Sequence, residues 1–235
     1  MTQNSATEFV QTHLIRRQPF VMDMDGTLLD LGFDNYLWNE ALPRVYAHKL
    51  GMTQSAANQA VKARLDAARG TLSWYCFDHW TREFGIDIAA LEHTHRARIR
   101  FLPGARYFLA YANRLGSRLV LATNAHPKSL ALKAGQTGLA EYFSDLCSSH
   151  RYGAPKESPR FWAAFLAEHR LEPSEVLFVD DNPNVLAAAD AAGVGRVIAI
   201  QRPILGGEVR EHPKHLTLQN LGELCGAGCP FRAQR

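Results

Sequence analysis

After Phe101 the sequence settles into an alternation that restricts it to one class of fold. The runs SRLVLAT (117–123), EVLFVD (175–180) and RVIAI (196–200) are continuously apolar rather than alternating in polarity. Strands of that kind are buried on both faces, as in the middle of a parallel sheet. Between them lie segments of helical period: PGARYFLAYANRLG, PKSLALKAGQTG, SPRFWAAFLAEHRL and NPNVLAAADAAG. Proline or a capping residue opens each, and glycine closes several. PFVMD (19–23) supplies another buried strand, and YFSDLCSS (142–149) a weaker one. Strands alternating with helices imply right-handed crossovers and a doubly wound, Rossmann-like α/β sheet with helices on both faces.

The alternation is interrupted once. From about Asn35 to Arg100 the period is helical throughout, in SAANQAVKARLDAARG, TLSWYCFDHWTREFG and DIAALEHTHRARIRF. The expected organisation is a core domain of residues 1–30 and 101–235 carrying an inserted α-helical cap domain, 31–100. A chain of 235 residues can build both. The first fifteen or so residues and the last ten are expected to be mobile.

Composition excludes several roles. A net charge of +3 with no basic block argues against a nucleic-acid polymer as partner. No apolar run is long enough to span a membrane, and the N-terminal stretch has no signal-peptide core, so the expected location is the cytoplasm. The four cysteines, Cys76, Cys147, Cys225 and Cys229, are scattered, which fits a reducing compartment. Cys225 and Cys229, in a C-x-x-x-C pair with glycines between them, read as free thiols in a loose tail rather than as a metal clip. Oligomeric state is not legible.

In an open parallel sheet, ligands bind beyond the carboxyl ends of the strands. Here the polar residues collect at those ends. Asp23 and Asp25 follow the first strand, Thr123 and Asn124 end the next, Asp180, Asp181 and Asn182 end another, and Lys156 sits in the loop RYGAPKES. Four carboxylates and one lysine in a single crevice need a further cation. Oxygen ligands, few in number, suit Mg²⁺ rather than zinc or a softer metal.

The four stretches DMDGTLLD, LVLATNA, GAPKES and FVDDNPN, in that order, resemble the motifs of the haloacid dehalogenase-like phosphohydrolases. The resemblance covers about Gln18 to Ile200. It implies that Asp23 is the nucleophile that forms an aspartyl-phosphate, and that Asp25 is the general acid and then the base. It implies that Met24 (through its amide), Thr123, Asn124 and Lys156 hold the phosphoryl group. Mg²⁺ would be bound by Asp23, the Asp25 carbonyl, Asp181 and, through water, Asp180. An acid at position 25 favours a phosphate ester over a halide, because a departing alkoxide needs a proton and a halide does not.

Within that family, DMDGTLLDLGFDNYLW, TLSWYCFDHW, TNAHP and YGAPKES are similar to the bacterial GMP/IMP nucleotidase group. The implied substrate is a small-molecule phosphate ester, a purine nucleoside 5′-monophosphate. Phe33, Tyr36, Trp74 and Tyr75 offer aromatic faces for a purine, and Asp34 and Asn35 offer polar atoms for its edge or the ribose. Against this stands the plainer reading that the aromatics Trp38, Trp74, Tyr75, Phe77 and Trp80 pack the cap. His93, His95 and His126 read as ordinary helix or loop histidines, with His126 close enough to the site to help close it. A sugar-phosphate phosphatase of the phosphoglycolate type, a phosphomutase, and a catalytically silent binding protein are the alternatives.

Overall fold

In the computed structural model, which describes residues 3–224, six parallel strands form one sheet in the order β3-β2-β1-β4-β5-β6. They are β1 (Phe20–Met22), β2 (Leu119–Thr123), β3 (Asp145–Ser148), β4 (Leu177–Asp180), β5 (Arg196–Ile200) and β6 (Leu216–Leu218). The first five fall where the apolar runs placed them. β6 is an addition: it pairs with β5 from Ile198↔Leu216 to Ile200↔Leu218 at the sheet edge.

The strands' period of two sorts their side chains into two cores. Phe20, Met22, Leu121, Val179 and Ile198 face one layer, built with α1 (Gln3–Ile15), the helix Ala105–Arg114 and Leu130 of the helix Pro127–Thr137. Val21, Val120, Phe178 and Val197 face the other, built with the helices Pro159–Glu168 and Pro183–Ala191. The expected N-terminal mobility is not what the structure shows. α1 buries Ala6, Val10 and Leu14 against the same core as Leu218, Leu221 and Leu224. A stripe at spacing four and a C-terminal strand to receive it order the segment. The expected loose tail, with Cys225 and Cys229, lies outside the described residues.

The helical insertion has an apolar cluster of its own, which includes Leu37, Leu42, Tyr46, Val61, Trp80, Phe84 and Ile88. Local signals set its elements. Thr53 caps the helix Gln54–Ala68 by accepting from the Ala56 amide, and Asp87 caps Ile88–Thr94 the same way. The predicted aromatic helix is broken at Cys76, between a 3₁₀ turn at Leu72–Tyr75 and the helix Phe77–Phe84.

The two connections between insertion and sheet run side by side. Leu29 bridges Phe101 antiparallel, the Asp30 amide donates to the Arg100 carbonyl at 3.0 Å, and the Leu102 amide donates to the Leu28 carbonyl at 2.8 Å. Asp30 knots this stalk: its carboxylate accepts from Arg100 Nε and from the Gly32 and Leu205 amides. Phe33 and Ile99 pack into the sheet's core rather than the insertion's.

Candidate active site

Three carboxylates meet beyond β1 and β4. One oxygen from each of Asp23, Asp180 and Asp181 lies within 4.8 Å of the others, and all three residues are buried. β1 delivers Asp23, whose amide is still held by the Val179 carbonyl at 2.9 Å, and β4 ends on Asp180. The turn after β1 must approach closely, and Gly26 allows it. At φ +91, a Cβ there would lie 2.6 Å from the Asp181 Cγ, so no other side chain fits.

Lys156, 2% exposed, ties the group together. Its ammonium donates to Asp23 Oδ1 and, at 2.7 Å, to Asp180 Oδ2. Trp162 Nε1 fixes its loop by donating to the Lys156 carbonyl at 2.8 Å. The second Asp180 oxygen accepts from the Asn182 amide at 2.8 Å, so both of its oxygens are engaged by the protein. Asp180 thus holds the Lys156 ammonium and the turn at Asn182 together. Asn182 also caps the helix Pro183–Ala191 by accepting from the Asn184 amide.

The cluster is short of positive charge. Burial pushes Asp23 well above the usual carboxylate range; Lys156 opposes that push and Asp180 and Asp181 add to it. Asp181 is pushed up to about 7 by burial first and the charge of Asp180 second. Lys156 itself is raised, because the charges of Asp180 and Asp23 outweigh the opposing effect of its burial. Three acids that resist ionisation behind one buried lysine make a donor set of hard oxygens that fits Mg²⁺.

Sequence reasoning missed the residue that meets Asp181. Arg210, from the segment between β5 and β6, places Nη1 2.7 Å from Asp181 Oδ2. Nothing in its neighbourhood, GGEVREHP, announces this. A second missed cation is Lys133, 1% exposed in the helix Pro127–Thr137. It donates to Asp25 Oδ1 at 2.8 Å and to both Asp34 oxygens at 2.8 and 2.9 Å. Burial, then the charge of Asp25, pushes Asp34 up to about 7 against the pull of Lys133.

The remaining expected site residues divide. Thr123, buried at the end of β2, accepts from the Ala125 amide at 3.0 Å. Asn124 Oδ1 accepts from the Lys156 amide at 2.8 Å, and its Nδ2 donates to Glu157 at 2.9 Å. Tyr75 reaches from the insertion to donate to the same Glu157 at 2.7 Å. Trp74 lies edge-on to Tyr75 at 4.8 Å, with its indole N–H buried and unpartnered among the described residues. Met24 has its side chain in the core. Phe33 is buried there as well, which leaves it no face for a base, and Asn35 is exposed to solvent.

A parallel sheet whose central strand delivers an aspartate to a buried lysine and two further acids defines a class of hydrolase. A family model, haloacid dehalogenase-like hydrolase, matches residues 20–193, and the chain belongs to that family. Among its relatives is GMP/IMP nucleotidase YrfG of Escherichia coli, 34% identical over 204 residues that cover 87% of this chain and 92% of that protein. A phosphoglycolate phosphatase of Pseudomonas fluorescens is 25% identical over 217 residues, 89% of this chain and 78% of that one. The crystal structure of a HAD phosphatase from Thermococcus onnurineus shares the fold, with TM-score 0.76 and 22% identity, covering 88% of this chain and 96% of that one. Among the described residues no helix is long and apolar enough to cross a membrane.

Proposed function

We propose that this phosphatase hydrolyses purine nucleoside 5′-monophosphates, GMP and IMP in particular, and that the inserted helices form a cap over the phosphate site. The observation that carries the chemistry is Lys156 held between Asp23 and Asp180 with Asp181 beside them. The nucleotidase relative, alike over nearly its whole length, supports the substrate.

In this reading Asp23 attacks phosphorus while the bond to the leaving oxygen breaks, and Asp25 gives that oxygen its proton. Asp25 then takes a proton from a water, which attacks the aspartyl-phosphate and releases phosphate. Lys156, together with a bound metal ion, would favour the anionic form of Asp23 and offset charge on the transferring group, which is most of what phosphoryl transfer asks of a protein. The Thr123 hydroxyl and the Met24 and Asn124 amides hold phosphoryl oxygens. A magnesium ion held by Asp23, Asp181 and the Asp25 carbonyl, with Asp180 behind, would neutralise the phosphoryl oxygens. Trp74 and Tyr75 lie where the insertion meets the sheet, and a base acceptor would satisfy the buried indole N–H.

The test is phosphate release from GMP, IMP, AMP, phosphoglycolate and hexose phosphates. GMP and IMP should lead, chelation should stop turnover and Mg²⁺ restore it, and Asp23→Asn should be inactive. Faster release from phosphoglycolate would move the protein to the reading its Pseudomonas relative supports. No release from any of them would leave a binding protein.

A further inference from the structure

A second group of metal-ligating side chains lies outside the acidic cluster. Cys76 stands at the break between the turn Leu72–Tyr75 and the helix Phe77–Phe84 of the insertion. His126 caps the helix Pro127–Thr137 beyond β2, and His150 lies in the turn Ser149–Tyr152 after β3. The Cys76 sulfur and one ring nitrogen of each histidine lie within 4.8 Å of one another. Long stretches of sequence separate the three, and only the seating of the insertion on the sheet brings them together.

The imidazoles are positioned as ligands are. They meet edge to face at 5.0 Å, and Phe77 stacks on His126 at 5.4 Å, fixing its plane. His150 Nε2 is buried with no hydrogen-bond partner among the described residues. The Tyr75 backbone hydrogen-bonds the same ring. A carbonyl on one imidazole nitrogen fixes the tautomer and leaves the lone pair on the other. A buried ring nitrogen without a partner is otherwise a cost with no return. At His126 the Lys128 amide makes a long contact of 3.3 Å to Nδ1, and ligation at either ring nitrogen gives it up. Asp78 Oδ2, 3.6 Å from His126 Nε2, brings negative charge to the edge of the group.

We propose that Cys76, His126 and His150 form a second metal site, for a borderline divalent ion such as Zn²⁺, that clips the helical insertion to the sheet. One thiolate and two imidazoles are a zinc donor set and a poor one for magnesium, which takes oxygen. On binding, the Cys76 thiol loses its proton to solvent, the sulfur bonds the metal, and two neutral imidazoles supply the other donors. Burial lowers the proton affinity of both rings, His150 to about 4, so both are neutral at physiological pH. The fourth position is left to water. The clip would lie on the same seam as the Tyr75–Glu157 and Lys128–Asp78 contacts.

Cobalt(II) titration of the chelator-stripped full chain tests the site without reference to phosphatase activity. One equivalent should raise a thiolate-to-cobalt charge-transfer band that one equivalent of Zn²⁺ displaces and millimolar Mg²⁺ does not. Zn²⁺ should also raise the melting temperature. Cys76→Ser should abolish the band and the rise in melting temperature, and His150→Gln should weaken cobalt binding at least about tenfold. Metal-free melting of each variant checks its fold. The double variant Cys225→Ser/Cys229→Ser should keep the band. Absence of the band in the native chain, its survival in Cys76→Ser, or its loss in the tail variant would overturn the assignment.

Discussion

The ammonium of Lys133 sits 2.8 Å from Asp25 and 2.8 and 2.9 Å from the two oxygens of Asp34, so one buried cation joins the proposed proton donor to the first helix of the insertion. Burial works to lower the proton affinity of Lys133, and the charges of Asp25, Asp34 and Glu92 outweigh it. The lysine is therefore a fixed positive charge that orients Asp25. Lys133→Met keeps the stem and removes the charge. It should lower kcat about 10²-fold, the lower range for a displaced acid–base group, with a smaller change in KM, in steady-state hydrolysis of GMP. An unchanged kcat would show that the ion pair serves only to seat the helix.

Lys156→Met should be inactive and also less stable. It leaves Asp23 and Asp180 buried without their cation, and breaking a buried pair on one side costs about 3–5 kcal/mol. Urea unfolding in chelator is the measurement. Added Mg²⁺ should recover part of the loss, since an ion bound only by the folded state stabilises it.

Arg210 covers Asp181 from a half-exposed position, so it would compete with a cation bound at the same oxygen. Arg210→Gln should tighten Mg²⁺ binding about fivefold, the equivalent of ~1 kcal/mol for a half-exposed pair. Calorimetric titration reads it. Weaker binding in the variant would mean that the arginine supports the metal site rather than competing for it.

His13 should take stability from the fold in mild acid. Burial lowers its pKa below 6.5, the nearby charges of Arg16 and Arg196 add to this, and the Pro19 carbonyl, 3.0 Å from Nε2, opposes it. Between the folded value and 6.5 the unfolded chain binds more protons, so stability falls as pH falls through that window and is unaffected above it. Relative to His13→Gln, the native chain's urea midpoint should fall more, or rise less, between about pH 7.5 and 5, a window in which Asp34 and Asp181 act in the opposite sense. An equal pH dependence in the two would rule out this contribution of His13.

The sequence revealed most where burial was two-sided. VLFV and LVLA read as strands because neither face meets water, and Ser158 and Asn182 announced their helices by capping chemistry. β6 escaped notice because three residues, two of them only half-buried, carry too little pattern. α1 had a usable signal in Ala6, Val10 and Leu14, spaced by four, but the strand that receives it was not foreseen. The acids and Lys156 were legible as strand-end residues. Lys133, Arg210 and Glu157 were not, because one charged residue in a helix or loop looks like surface until the fold turns it inward. Phe33 failed in the opposite sense, as an aromatic in an unusual motif that packs into the core.

The paired stalk at Leu29 and Phe101 has an evolutionary consequence. Entry and exit of the insertion are neighbours, fixed to each other by backbone bonds and by Asp30. The sheet meets the same two chain ends whatever lies between them, and Phe33 and Ile99 stay with its core, so a segment exchanged between residues 35 and 98 should leave the strands intact. Grafting a different segment there would leave the acids at the strand ends in place while changing which leaving groups can reach them.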